Sequence, residues 1–118
     1  MRRDYLYLQD ILDACAMIRV FLEGIDASAF LVSDLHKAAI LQKLTVIEEA
    51  AARLSPAFRE AHPQVEWQDI IAFRNIAVHA YFAVQWEIVW ATAADDVPEL
   101  QSQVLDILRA EKLESRDR

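Results

Sequence analysis

One glycine and three prolines in 118 residues leave this chain few places to turn sharply. Sandwiches and barrels need turn residues at every hairpin, so this scarcity points to long helices and an all-α fold. A single cysteine, Cys15, excludes a disulfide within the chain and fits a reducing compartment. No glycine-rich phosphate loop can be built from one glycine. Long apolar runs are missing too. None approaches the roughly 20 residues that span a bilayer, and the opening Met1-Arg2-Arg3-Asp4 leads straight into an amphipathic pattern, unlike a signal peptide. The expectation is a cytoplasmic protein with no membrane partner. Positive charge is the last scarcity. The formal net charge is −7, and between Leu44 and Leu108 the basic residues are Arg53, Arg59 and Arg74 alone, histidines aside. A broad basic face for DNA is excluded, and any RNA contact has to be local.

Metal and acid–base patterns are also absent. His36, His62, His79 and Cys15 show no zinc-ligand spacing, with no pair at i, i+4, so neither a metal nor another cofactor is expected. Glu48-Glu49 and Asp95-Asp96 are adjacent in sequence, and adjacent helical residues diverge by about 100°, so neither pair reads as a catalytic dyad.

What remains is 55% apolar residues, enough for one core and a buried partner face in a single domain over residues 1–118. Residues 4–23 read as a helix whose inner face is Tyr5, Leu8, Leu12, Cys15, Ile18 and Leu22, with Cys15 as small core filler and Gly24 as its left-handed stop. Asp26-Ala27-Ser28 reads as a connector. Residues 28–55 hold a second long helix with a break near Val32 and a cap at Ser33 or Asp34. Its apolar line is Ile40, Leu44, Ile47, Ala51 and Leu54. A polar line, Gln42, Thr45 and Glu49, is either a solvated face or, through Gln42 or Glu49, a support for Arg74 or His79 in a dimer interface. Ser55-Pro56 opens a short helix through Ala61, and His62-Pro63 ends it, leaving His62 in a loop. A fourth helix covers about residues 65–80, with Glu66 and Asp69 in its first turn. A fifth covers about 84–93, where Trp86 and Trp90 read as core or dimer interface in preference to a base-stacking platform. Asp96-Val97-Pro98-Glu99 resembles a capping box opening a last helix through Leu113, with Leu100, Val104, Ile107 and Leu108 inward. Residues 114–118 form a charged, frayed tail.

The chemistry gathers in Arg74-Asn75-Ile76-Ala77-Val78-His79-Ala80-Tyr81, polar side chains set in an apolar helix where they cost free energy unless they find partners or do something. Asn75 and His79 share a face at i, i+4, and Arg74 and Tyr81 share another at i, i+7. His79 and Tyr81 serve different surfaces unless the helix loosens near Ala80. An arginine forks two hydrogen bonds onto a phosphate and keeps its charge, and a histidine exchanges a proton near neutral pH. Together they can cleave a phosphodiester without a metal. Read without wider context, Arg74 could instead bridge to an acid, Asn75 cap a neighbouring helix and His79 be a satisfied interior histidine.

The Arg-x4-His-x-Tyr pattern with Asn75 resembles the signature of HEPN-domain ribonuclease toxins, specifically the HepT-like family paired with minimal nucleotidyltransferase (MntA-like) antitoxins. The stretch from Val46-Ile47-Glu48-Glu49 to Leu54-Ser55 is similar to that family's second-helix end, and His62-Pro63-Gln64-Val65-Glu66-Trp67 to its connector. Phe82, Val89-Trp90 and Pro98-Glu99-Leu100 also fit, so the likeness covers most of the chain. Ala80 departs from it, since many relatives carry Asp there, and no carboxylate role is carried over. The resemblance implies a helical bundle of about five to six helices, a homodimer whose paired motifs form one RNA-cleaving site, and catalytic roles for Arg74, His79 and Asn75. It also implies that a cognate nucleotidyltransferase adenylylates Tyr81 to silence the toxin. The alternative from a different class is a non-catalytic subunit that binds the nucleotidyltransferase and presents its substrate. A third is a helical dimer with no chemistry.

Overall fold

The computed structural model describes residues 2–77 and 84–116, and for residues 2, 74–77 and 112–116 the backbone alone. Among the described residues seven α-helices follow one another: α1 Arg2–Phe21, α2 Ala27–Leu31, α3 Asp34–Arg53, α4 Pro56–Ala61, α5 Trp67–Ala77, α6 Trp86–Ala91 and α7 Val97–Arg116, with a π-helical turn at Thr92–Asp96 joining the last two. Among the described residues there is no strand. The all-α expectation holds.

The boundaries follow from local chemistry. Gly24 takes φ +74°, the left-handed stop expected after α1. Asp26 is more than a connector, because its side chain caps α2 by accepting from Ala29 N–H at 2.9 Å. The break falls at Val32, and the Ser33 hydroxyl caps α3 through His36 N–H. Ser55 caps α4, with Pro56 in its first turn as read from sequence.

Two boundaries differ from expectation. Asp96 does not cap a new helix. The chain runs from α6 into α7 without leaving helical conformation, and Val97 N–H reaches back five residues to the Thr92 carbonyl. The wider π turn lies just before Pro98, where an α-helix would require an N–H that proline lacks and would press its ring on the preceding turn. The proline that reads as a helix start is thus accommodated inside a continuous helical run. The fourth helix starts at Trp67, with Glu66 just outside it supplying the carbonyl for Ile70 N–H.

The helices assemble in pairs. α1 lies along α3, α7 against α1 and α5 against α3, while α2 packs on α6 and α3. The core is Leu8, Ile11, Cys15 and Ile18 from α1, Ile40, Leu44, Ile47 and Ala51 from α3, and Leu100, Val104 and Ile107 from α7. Tyr5, placed inward by the threes-and-fours pattern, is 49% exposed, and Asp4 is buried instead. The wheel explains the swap: at about 100° per residue, Asp4 falls between Leu8 and Ile11 while Tyr5 falls about 60° beyond Leu8. Trp86 and Trp90 are half-buried and pack on buried Phe30, at 6.3 and 5.4 Å between ring centroids, so they lie against the core of this chain.

Asp4 is buried because it has work at the far end of α3. Its two carboxylate oxygens accept from Ser55 N–H and from the Ser55 hydroxyl, both at 2.8 Å. Ser55 in turn accepts from Phe58 N–H at 3.2 Å. Arg19 at the other end of α1 donates to Gln101 of α7 at 2.8 Å. These contacts set α1 antiparallel to both α3 and α7.

Asp4→Ala should cost about 1–3 kcal/mol, because it strands the Ser55 amide and hydroxyl in a part-buried corner. A shift of the urea midpoint with unchanged slope measures it. Cys15 supplies a pH test. Burial pushes its thiol from 9.0 up to about 12, with a backbone hydrogen bond offsetting part of the rise. The unfolded chain therefore loses the thiol proton first. The stabilising contribution is complete below about pH 9 and is lost as pH rises toward 12. Denaturation midpoints of wild type and Cys15→Ala, compared across that interval, should converge with rising pH.

Candidate functional site

The helix that bears the Arg-x4-His pattern is held hardest at its start. Trp67 donates its indole N–H to the His62 carbonyl at 2.9 Å and packs edge-on against Phe58, with centroids 6.3 Å apart. His62 lies 4.4 Å from the Phe58 ring and 3.5 Å from the Glu111 carboxylate of α7. The histidine read as a loop residue is thus a brace joining α4, the connector and α7. Gln103 of α7 adds a bond to the Gln64 carbonyl at 3.0 Å. Asp69 in the first turn suits the helix dipole.

From that anchor α5 runs along α3. Ile70 and Phe73, with Leu44 and Ile47 of α3 and Val97 and Leu100 of α7, line a cleft of about 350 Å³. Glu66, Asp69, Asp96 and Glu99 also line it. Four carboxylates around an apolar floor repel a polyanion, so this cleft is no place for an RNA backbone.

Arg74 and Asn75 occupy the third turn of α5, within the described backbone, and their side chains lie outside the described residues. His79, Ala80 and Tyr81 also lie outside the described residues, as does the helix expected to continue through residue 80. Among the described residues, no three His, Cys, Asp or Glu side chains gather as they would around a metal ion.

On α3, Gln42 and Glu49 are exposed, and the Thr45 hydroxyl bonds to the Leu41 carbonyl of its own helix at 2.9 Å. Glu48 is the residue that sequence reasoning passed over. It is 2% exposed, with its carboxylate in the interior. The signal was available. Glu48 stands one turn after Leu44 and one turn before Ala51, both buried, whereas Glu49 is turned about 100° away.

Comparison with known proteins bears on this arrangement. The family described as Ribonuclease HepT-like matches residues 11–107. The chain is 36% identical over 106 residues to a provisionally named RNase of Caldanaerobacter subterraneus subsp. tengcongensis, covering 90% of this chain and 95% of that protein. It is 31% identical over 98 residues to a provisionally named RNase of Methanocaldococcus jannaschii, covering 83% and 90% respectively. It is also 31% identical over 97 residues to a probable ribonuclease HepT of Thermococcus cleftensis, covering 82% and 88%. No solved structure matches.

Proposed function

Because the chain belongs to the HepT-like ribonuclease family, we propose that it is a metal-independent endoribonuclease and the toxic component of a toxin–antitoxin pair. The observation that carries this reading is the coincidence of family membership with an Arg-Asn-x3-His-x-Tyr pattern whose first two residues sit on α5. α5 is anchored at its other end, so the pattern begins where the helix runs out from the α4 corner.

In this reading a homodimer brings two copies of Arg74, Asn75 and His79 together around one scissile phosphate. Arg74 holds the phosphate and stabilises the added charge of the pentacoordinate state. The 2′-hydroxyl oxygen bonds to phosphorus, the bond from phosphorus to the 5′ oxygen breaks, and the hydroxyl proton is removed as one is delivered to the leaving oxygen. His79 performs one of those transfers, as general base or general acid. Asn75 orients the imidazole or the phosphate. The products are a 2′,3′-cyclic phosphate, or the 3′-phosphate it hydrolyses to, and a 5′-hydroxyl. The acidic body fits an enzyme whose contact with RNA is confined to the motif.

Silencing would come from a partner nucleotidyltransferase of the minimal, MntA-like kind. The Tyr81 oxygen attacks the α-phosphorus of ATP, pyrophosphate leaves, and the tyrosine gains an adenylyl group. Its phosphate charge, introduced beside Arg74, repels the RNA backbone.

Purified wild type should cut RNA in the presence of a chelator, and His79→Ala should lower the rate by roughly 10²–10⁴ with helicity unchanged. A variant that cuts like wild type, or cleavage that appears only with added Mg²⁺, contradicts the proposal. Co-expression with the cognate transferase should add adenylyl mass at Tyr81 and abolish cleavage. Adenylyl mass on a protein that never cut RNA would favour a non-catalytic partner subunit instead.

A further inference from the structure

α5 and α7 are neighbours that do not close on each other. Among the described residues α5 packs on α3 and α7 on α1, while the α5 and α7 backbones hardly approach one another. α7 is joined instead to the connector that precedes α5, through the Gln103–Gln64 bond and the His62–Glu111 contact. Beyond that joint the two helices flank the cleft of about 350 Å³. Leu44 and Ile47 of α3 form its floor, and Ile70 and Leu100 stand on its two sides. One side runs from Glu66 to Phe73 and the other from Asp96 to Gln103. Each is seven residue steps, or about 10 Å of helix. The opening is therefore a slot about two helical turns long.

Both rims are acidic. Glu66 and Asp69 stand on the α5 side, Asp96 and Glu99 on the α7 side, and all four are exposed. Among the described residues no basic side chain lines the cleft, and none of the four carboxylates is ion-paired. Like charges gathered around a concave surface focus its potential and favour a cation, while the floor favours hydrocarbon. An occupant has to offer both. Apolar side chains at i, i+3 or i+4 and i+7 of a helix cover two turns, the length of this slot. Lysines or arginines beside them lay their stems along apolar surface and carry their charged heads to the rims. RNA and anionic lipid have the wrong sign. A second copy of this chain is a poor match, because its net charge is −7 and its basic residues between Leu44 and Leu108 are Arg53, Arg59 and Arg74 alone, histidines aside.

We propose that the slot between α5 and α7 is a docking groove for a partner protein, which lays into it an amphipathic helix with apolar side chains on the floor and Lys or Arg toward both rims. The groove uses none of the residues in the Arg74–Tyr81 motif, so it stands whether or not the chain cleaves RNA. A helix seated there rests on the first two turns of α5.

The probe is a labelled peptide, stapled as a helix, with leucines at i, i+4 and i+7 flanked by lysines. Fluorescence anisotropy reads its binding to the full-length chain. It should bind, and more weakly as salt is raised. The same peptide with glutamates for lysines should not bind, and one with serines for leucines should bind at least tenfold more weakly. Glu66→Gln with Asp69→Asn, or Asp96→Asn with Glu99→Gln, should each raise Kd roughly 2- to 30-fold. Glu23→Gln with Glu49→Gln removes as much charge from exposed positions elsewhere and should leave Kd unchanged. Equal weakening by all three pairs, or equal binding of the serine peptide, reduces the effect to diffuse charge attraction and overturns the groove. Failure of the lysine–leucine peptide to bind overturns it too. So does a change of oligomeric state in the rim variants, seen by sedimentation, since a second copy is then the occupant. Should a rim pair fail to fold, the peptide series on wild type decides.

Discussion

Two hydrogen bonds from Ser55 to the buried Asp4 carboxylate close the corner from which the rest of the bundle is hung. They tie the start of α1 to the end of α3 and to the cap of α4 in one contact. That fixes α1 antiparallel to α3, and Arg19 bonded to Gln101 then sets α7 antiparallel to α1. A short helix that would be marginal alone becomes a rigid pivot, because Ser55 caps it while being held itself. On its other side, Phe58 receives Trp67 and His62. The motif helix therefore leaves the body at an angle set by side chains outside the motif.

This anchoring has a functional consequence. α5 is braced by α4, by α3 and, through His62 and Gln103, by α7. Its first two turns carry buried Trp67, half-buried Ile70, Ile71 and Phe73 and the cleft-lining Asp69, and Arg74 and Asn75 come only in its third turn. Charge is segregated along one helix, with carboxylates around the cleft near its start and the arginine further along. In the proposed reading, this segregation would turn an RNA strand from the cleft toward the motif without a broad basic surface.

Buried polar groups are where reading the chain and seeing it folded part company. Asp4 and Glu48 are the buried charged residues among those described, and neither stands out in the sequence. Each has a periodicity argument in its favour, since Asp4 lies on the Leu8–Ile11 face and Glu48 on the Leu44–Ala51 face. Hydropathy argues the opposite, and exposed Tyr5 and Glu49 are the neighbours that residue type would choose. A local pattern cannot decide between them, and for Asp4 the partner that makes burial tolerable, Ser55, sits about fifty residues away.

The sequence by itself determined the helices, their caps at Ser33 and Ser55, the left-handed stop at Gly24 and the apolar lines of α3 and α7, because these depend on residues within one or two turns of each other. It also contained the family signature and the arginine–histidine spacing. Tertiary structure alone decided that Asp4 closes the α3–α4 corner, that His62 is a brace, that Pro98 lies within a continuous helical run after a π turn, and that Glu48 rather than Glu49 turns inward. For Asp4 and His62 the physical reason is a polar partner distant in the chain, and desolvation makes such a partner decisive only once the helices have packed.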